Sequence, residues 1–134
     1  MVGYSKNPLV KKLGIKENFK VFVKNGPANY FQLIQPLPEN VCFVKRLTKN
    51  LDFVHFFTQS KTELNNVMAK LHASIKNDGM IWVSWPKRAS NVPTDVTEGV
   101  IREVALRLGL VDVKVCAVDA VRSGLKLVLR RELR

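Results

Sequence analysis

Residues 111–131, VDVKVCAVDAVRSGLKLVLRR, decide the fold. Two largely apolar runs, Val111 to Val118 and Leu125 to Arg131, have strand character, and only Asp119 to Gly124 separates them. A connection this short permits an antiparallel pair, because a parallel crossover needs a dozen residues or more. The chain therefore closes on an antiparallel β-hairpin, with Asp119 expected to cap its turn together with Ser123.

Working back from the hairpin, strands and helices alternate. Asp95 and Glu98 have capping-box spacing, with an acidic cap in place of the usual hydroxyl. They predict a helix to Leu108, with Val100, Ile101, Val104 and Leu108 facing inward and Gly109 as its C-terminal cap. Met80 to Trp85 has no charge and reads as a central strand. Ser60-Lys61-Thr62-Glu63 is a second capping box, each side chain satisfying a free backbone amide. It opens a helix with Leu64, Val67, Met68, Leu71 and Ile75 on one face, stopped by Asn77-Asp78-Gly79. Leu51 to Phe57 is almost wholly apolar, as a strand covered on both faces must be. Earlier strands are expected at Val41 to Val44 and Phe19 to Lys24. A short helix between them begins at Pro27, where a missing amide does no harm, and runs to about Ile34. Residues 1–18 read as a lead-in, broken by Pro8 and Gly14.

The order β-α-β-β-α-β-α-β-β predicts an α/β, Rossmann-like, mostly parallel sheet with helices on its faces and a C-terminal antiparallel hairpin. One domain over 1–134 is expected, with its core in 19–134. "LHASIKNDGMIWVSWPK" (71–87), "REVALRLGLVDVKVCAVD" (102–119) and "GLKLVLRREL" (124–133) resemble the later helices, strands and closing hairpin of the Class I methyltransferase fold. The resemblance covers Phe19 onward, with one helix-strand unit missing in the first half. A second resemblance lies closer in letters. "YSKNPLVKKLGIK" (4–16), "WVSWPKRAS" (82–90) and "GLVDVKVCAVD…SGLKLV" (109–128) are similar to a short bacterial family of unknown function carrying a WVSWPK-type motif. That likeness brings no catalytic residues with it.

Composition narrows the partners. The chain has 134 residues, 46% hydrophobic and 25% charged, with a formal net charge of +11. No apolar run reaches the ~18 residues of a membrane span, and no secretory signal precedes Leu13, so a cytoplasmic protein without membrane contact is expected. Cys42 and Cys116 stand among apolar residues in predicted strands and read as buried free thiols. His55 and His72 have no metal-ligand spacing, which leaves no expected metal. The basic excess favours an acidic protein or nucleic acid, set against a merely solvated basic surface. Lysines at 6, 11, 12, 16, 20 and 24 and basic residues at 122, 126, 130, 131 and 134 place that charge at the two ends.

In an open parallel sheet ligands bind beyond the carboxyl ends of the strands. That rule selects Asn25-Gly26-Pro27-Ala28, Lys45-Arg46, Thr58-Gln59-Ser60 and Ser84-Trp85-Pro86-Lys87-Arg88. The first has one glycine and then a proline, which lacks the amide a phosphate loop would present. The second offers Lys45 where such folds place a carboxylate against a ribose. Both departures argue against S-adenosylmethionine or a dinucleotide in the usual mode, so no cofactor is expected. Asn25, Gly26, Lys45, Ser84, Trp85, Lys87 and Arg88 remain as candidates for an anion or ligand site. The competing reading has Lys87 and Arg88 solvating a loop and Trp85 packed in the core. His55, between Phe53 and Phe57, reads as a satisfied core histidine, and no nucleophile-base-orienter set can be assembled. Two functions follow as expectations: a noncatalytic or degenerate binding module for an anionic partner, or a small enzyme acting on a phosphorylated or nucleotide-like ligand.

Overall fold

The computed structural model describes residues 7–134; Lys6, one of the terminal lysines, lies outside them. The chain runs α1 (Leu9–Leu13), β1 (Lys20–Lys24), α2 (Tyr30–Leu33), β2 (Cys42–Phe43), β3 (Leu51–Phe57), α3 (Lys61–His72), β4 (Ile75–Pro86), α4 (Glu98–Arg107), β5 (Leu110–Ala117) and β6 (Arg122–Leu129). The strands form one sheet in the order β2-β1-β3-β4-β6-β5. β1 to β4 pair in parallel, and β6 runs antiparallel between β4 and β5. The architecture is thus the Rossmann-like α/β sheet with the closing hairpin that residues 111–131 predicted.

Period-two alternation along the central strands feeds two cores. On one face Leu64, Met68 and Leu71 of α3 and Ile101 and Val104 of α4 pack on Val54, Phe56, Ile81, Val83 and Trp85. On the other, Val10, Leu13, Tyr30 and Ile34 cover Val21, Phe53, Phe57, Met80 and Trp82. Each fully buried side chain contributes roughly 1.5–3 kcal/mol. Among the described residues no helix is long and apolar enough to cross a membrane.

The lead-in contains an element of its own. The last carbonyls of any helix lack intrahelical partners, and here the sheet supplies partners for two of them. Trp82 Nε1 donates to Leu13 O at 2.8 Å, and Lys114 Nζ donates to Lys12 O at 3.0 Å. Gly14 then turns the chain out of α1 at φ 83°.

Several local expectations are corrected. α3 ends at His72 and Ile75 already belongs to β4, paired with Leu51. Asn77-Asp78-Gly79 is not a helix stop but an irregular stretch inside β4, where the β3 register shifts. A Cβ on Gly79 would lie 2.9 Å from Leu51 O, so the glycine permits a close backbone approach. Thr97, not Asp95, caps α4, its hydroxyl accepting from Val100 N at 3.2 Å. A hydroxyl directly before the helix outcompetes a carboxylate two residues earlier. Asp95 instead reaches across to Lys61 N, at 2.7 Å, and caps α3. Asp119 closes the hairpin through Val121 N and Arg122 N and an ion pair with Arg122, rather than with Ser123.

The cysteines are corrected too: Cys42 is exposed and Cys116 only partly buried. The reason is topological, since β2 and β5 are the two edges of the sheet. Burial pushes the Cys116 thiol up, with Lys114 and Lys12 pulling the other way. Native thiol titration followed by intact mass is therefore expected to modify Cys42 first and Cys116 more slowly, both without denaturant.

Candidate functional site

From β1 the chain passes outward to β2, then back across to β3 on the other side of β1. The sheet's switch point thus lies between the carboxyl ends of β1 and β3, where this architecture seats ligands. Asn25, at φ 59°, bridges that gap. Its Nδ2 donates to Phe57 O and to Glu63 Oε2, both at 3.1 Å. Thr58 Oγ1 donates to the other carboxylate oxygen, Glu63 Oε1, at 2.7 Å. Only half of the expected capping box therefore forms. Ser60 Oγ accepts from Glu63 N at 3.1 Å, but Ser60 N donates to Thr58 Oγ1, which frees the Glu63 carboxylate for Asn25.

Beside this latch lies a cavity of about 300 Å³, lined by Asn25, Thr58, Glu63, Ser84 and Arg122 among others. Beneath it runs a buried chain of polar groups. Tyr30 Oη lies 2.8 Å from His55 Nδ1, and His55 Nε2 lies 2.7 Å from Ser84 Oγ. His55 and Ser84 have no exposed surface, and Tyr30 almost none. Burial lowers the His55 pKa to about 3, so the imidazole is neutral, one ring nitrogen donating and the other accepting. Burial also pushes the Tyr30 hydroxyl far up. Phe57 stacks on the imidazole with ring centroids 4.2 Å apart. Gly124 faces the serine across β6: a Cβ there would stand 3.1 Å from both Ser84 Oγ and Trp82 Cε3.

His55 is thus the satisfied core histidine expected of it. A serine-histidine-tyrosine series does exist, which sequence reading did not assemble. Its chemistry is limited, because a base must carry charge on accepting a proton, and desolvation opposes that at His55. Among the described residues no carboxylate offsets it.

The candidate residues divide among three hollows. Asn25 and Ser84 line the cavity over the latch. Gly26 and Lys45 line a separate one of about 440 Å³, between the ends of β1 and β2. Trp85 and Arg88 border a third, of about 480 Å³, against the loop before α4. Most of the Trp85 indole is buried in the core beneath α3 and α4. Lys87 lines none of these three, and its amide donates to Val121 O at 2.8 Å. Lys45, Lys87 and Arg88 thus share none of these three hollows. Tyr30, Glu63 and Arg122 join the site without having been singled out for it. Among the described residues no three His, Cys, Asp or Glu side chains group as metal ligands.

No protein-family profile and no curated protein matches this chain. Solved structures do. A magnesium protoporphyrin IX methyltransferase from Synechocystis PCC 6803, solved with bound SAM, superposes with TM-score 0.66 at 12% identity, over 91% of this chain and 76% of its own. A SAM-dependent methyltransferase from Aquifex aeolicus gives 0.65 at 14%, over 89% and 86%. A TehB-like SAM-dependent methyltransferase from Corynebacterium glutamicum gives 0.55 at 10%, over 92% and 86%. The shared property at these identities is the fold, and it is the methyltransferase-like fold that the hairpin and the β4 segment resembled.

Proposed function

We propose that this chain is a cytoplasmic, noncatalytic binding module for an anionic partner, built on a methyltransferase frame that no longer takes S-adenosylmethionine in the usual way. The observation that carries this reading is the Asn25 latch. A ligand over the switch point needs room between the two strand ends and free amides aimed at it. Here a side-chain amide spans the gap to Phe57 O and Glu63. Pro27 removes a donor from the same turn, and Lys45 stands where a carboxylate would meet the ribose. The residues present do not fit that cofactor. The net charge of +11 supplies the attraction for an anion instead.

Calorimetry and thermal denaturation test this directly. A ligand present at 100 times its Kd stabilises a fold by about 2.7 kcal/mol, several degrees in Tm for a domain of this size. Millimolar S-adenosylmethionine or S-adenosylhomocysteine is expected to give neither heat nor shift. A saturable isotherm that Asn25→Ala alters would overturn the reading. The cavity beside Ser84 and Arg122 favours a second reading, a small enzyme acting on a phosphorylated or nucleotide-like ligand. It requires a nucleotide in the same screen to raise Tm and Arg122→Ala to abolish the rise.

A further inference from the structure

The net charge has a local concentration that lies away from the strand ends. Lys114 of β5 and Lys126 of β6 are directly opposed in the hairpin register. Like charges in that relation destabilise a sheet. The Lys126 ammonium approaches α1, 3.9 Å from where a Cβ on Gly14 would be. Lys114 reaches the same helix end through Lys12 O. Lys12 itself lines a hollow of about 290 Å³ between α1 and the β5–β6 turn. None of these three lysines belongs to an ion pair among the described residues. The Lys126 amine is held below its ordinary range, first by partial desolvation and then by Lys114 and Lys16, which draws Lys16 into the group.

Resting on the anionic-partner reading, we propose that the face formed by the end of α1 and the β5–β6 hairpin binds the phosphate backbone of a nucleic acid, through Lys12, Lys114 and Lys126. The chemistry of the face selects that partner. Its cations are lysines, point charges suited to sequence-independent phosphate contact rather than bidentate reading of a base or carboxylate. A protein partner would need an apolar anchor at the centre of its interface. The large exposed apolar side chains are Phe31, Leu106, Val113, Val115 and Leu133; of these only Val113 and Val115 lie on the hairpin, both on β5, and valine is not the aromatic or arginine anchor on which protein interfaces centre. Val115 pairs with Leu125, whose side chain packs in the core on the opposite face. An anion laid across Lys114 and Lys126 also removes the repulsion between them, so binding and hairpin stability gain together.

Fluorescence anisotropy with a labelled 20-base-pair duplex and a single strand of the same length, between 50 and 200 mM salt, tests the assignment. Three phosphate contacts give a slope of log K against log salt near −2.7 on duplex, at about −0.9 each. The K114Q/K126Q variant is expected to flatten the slope by about 2 and to lose roughly tenfold or more in affinity at low salt. K114R/K126R, which keeps the charge, should bind as the parent does. K61Q/K70Q removes the same charge from exposed positions of α3 and should leave the slope nearly intact. Equal losses in the α3 and hairpin variants would mean that bulk charge does the binding, which overturns this face but not the anionic partner. No nucleic-acid binding, with retention on polyglutamate, also overturns the face and leaves the broader reading standing. Failure on both polyanions removes both. A circular-dichroism melt of each variant separates a lost contact from a lost fold.

Discussion

Acidification from pH 7 to pH 4 is expected to remove about 3 kcal/mol of folding stability through His55 alone. An unfolded histidine titrates near its ordinary pKa of about 6.5. In the folded chain burial lowers that value to about 3. Between those two values the unfolded state binds a proton that the native state refuses. Stability conferred by the neutral imidazole is therefore complete above pH 6.5 and is lost as pH falls toward 3, at about 1.36 kcal/mol per unit. Urea unfolding at half-unit pH steps measures the slope. Carboxylates add their own acid dependence, so the informative quantity is the difference from His55→Gln, whose amide offers both a donor and an acceptor to Tyr30 and Ser84. That variant is expected to be less stable at pH 7 but flatter below it by about one proton. An unchanged slope would show that the proton taken up on unfolding belongs elsewhere.

The same residue marks the boundary of what could be read from the letters. The frame was legible because its signals are local. A hairpin linker of a few residues excludes a parallel crossover; Ser60 sits three residues before Glu63; apolar residues in α3 recur at helical spacing. Each of these is decided within one turn of chain. Errors fell where two local signals competed. Ile75 continues the period of α3, yet pairing with Leu51 draws it into β4. Asp95 has the right chemistry for a cap, but Thr97 has the better position and Asp95 serves the neighbouring helix. Cys42 and Cys116 look buried among apolar neighbours, and only the strand order places both on sheet edges.

The site was less legible because its bonds span the topology. Asn25 meets Glu63 across 38 residues, His55 meets Ser84 across 29, and Tyr30 meets His55 across 25. Position alone identified Asn25 and Ser84, since the carboxyl ends of strands can be counted from the sequence. The rule says where a ligand would sit, and it cannot say that Asn25 would close the gap by hydrogen-bonding across it. Nor could it separate Lys45 from Arg88, because all strand ends look adjacent until the order β2-β1-β3-β4 spreads them over the sheet. The basic hairpin face was visible only as scattered lysines. Its concentration needs the 114–126 register, which follows a shift in pairing between Asp112 and Lys114.

Replacing Trp82 is expected to be the most damaging single change in the chain. Its indole has no exposed surface and packs on the α1–α2 face with Leu13, Phe53 and Met80. Truncation to alanine opens a cavity that backbone hydrogen bonds to β3 and β6 hinder from collapsing, at about 3–5 kcal/mol. Against a typical total of about 5–15 kcal/mol that is a large share of the fold's stability. The ring is also a tether. Nε1 donates to Leu13 O at 2.8 Å, across 69 residues. Trp82→Phe separates the two roles, since it retains most of the apolar volume and deletes the donor. It should lose about 1–3 kcal/mol for the unpaired carbonyl. Its signature should be local: faster hydrogen exchange at the Gly14 and Ile15 amides, which close α1 onto Val10 O, with β3 and β4 still protected. Equal loosening of α1 and the central strands in Trp82→Phe would mean that the indole acts only by filling space. Loosening confined to α1 would make this hydrogen bond the clasp that holds the lysine-bearing helix end against the hairpin.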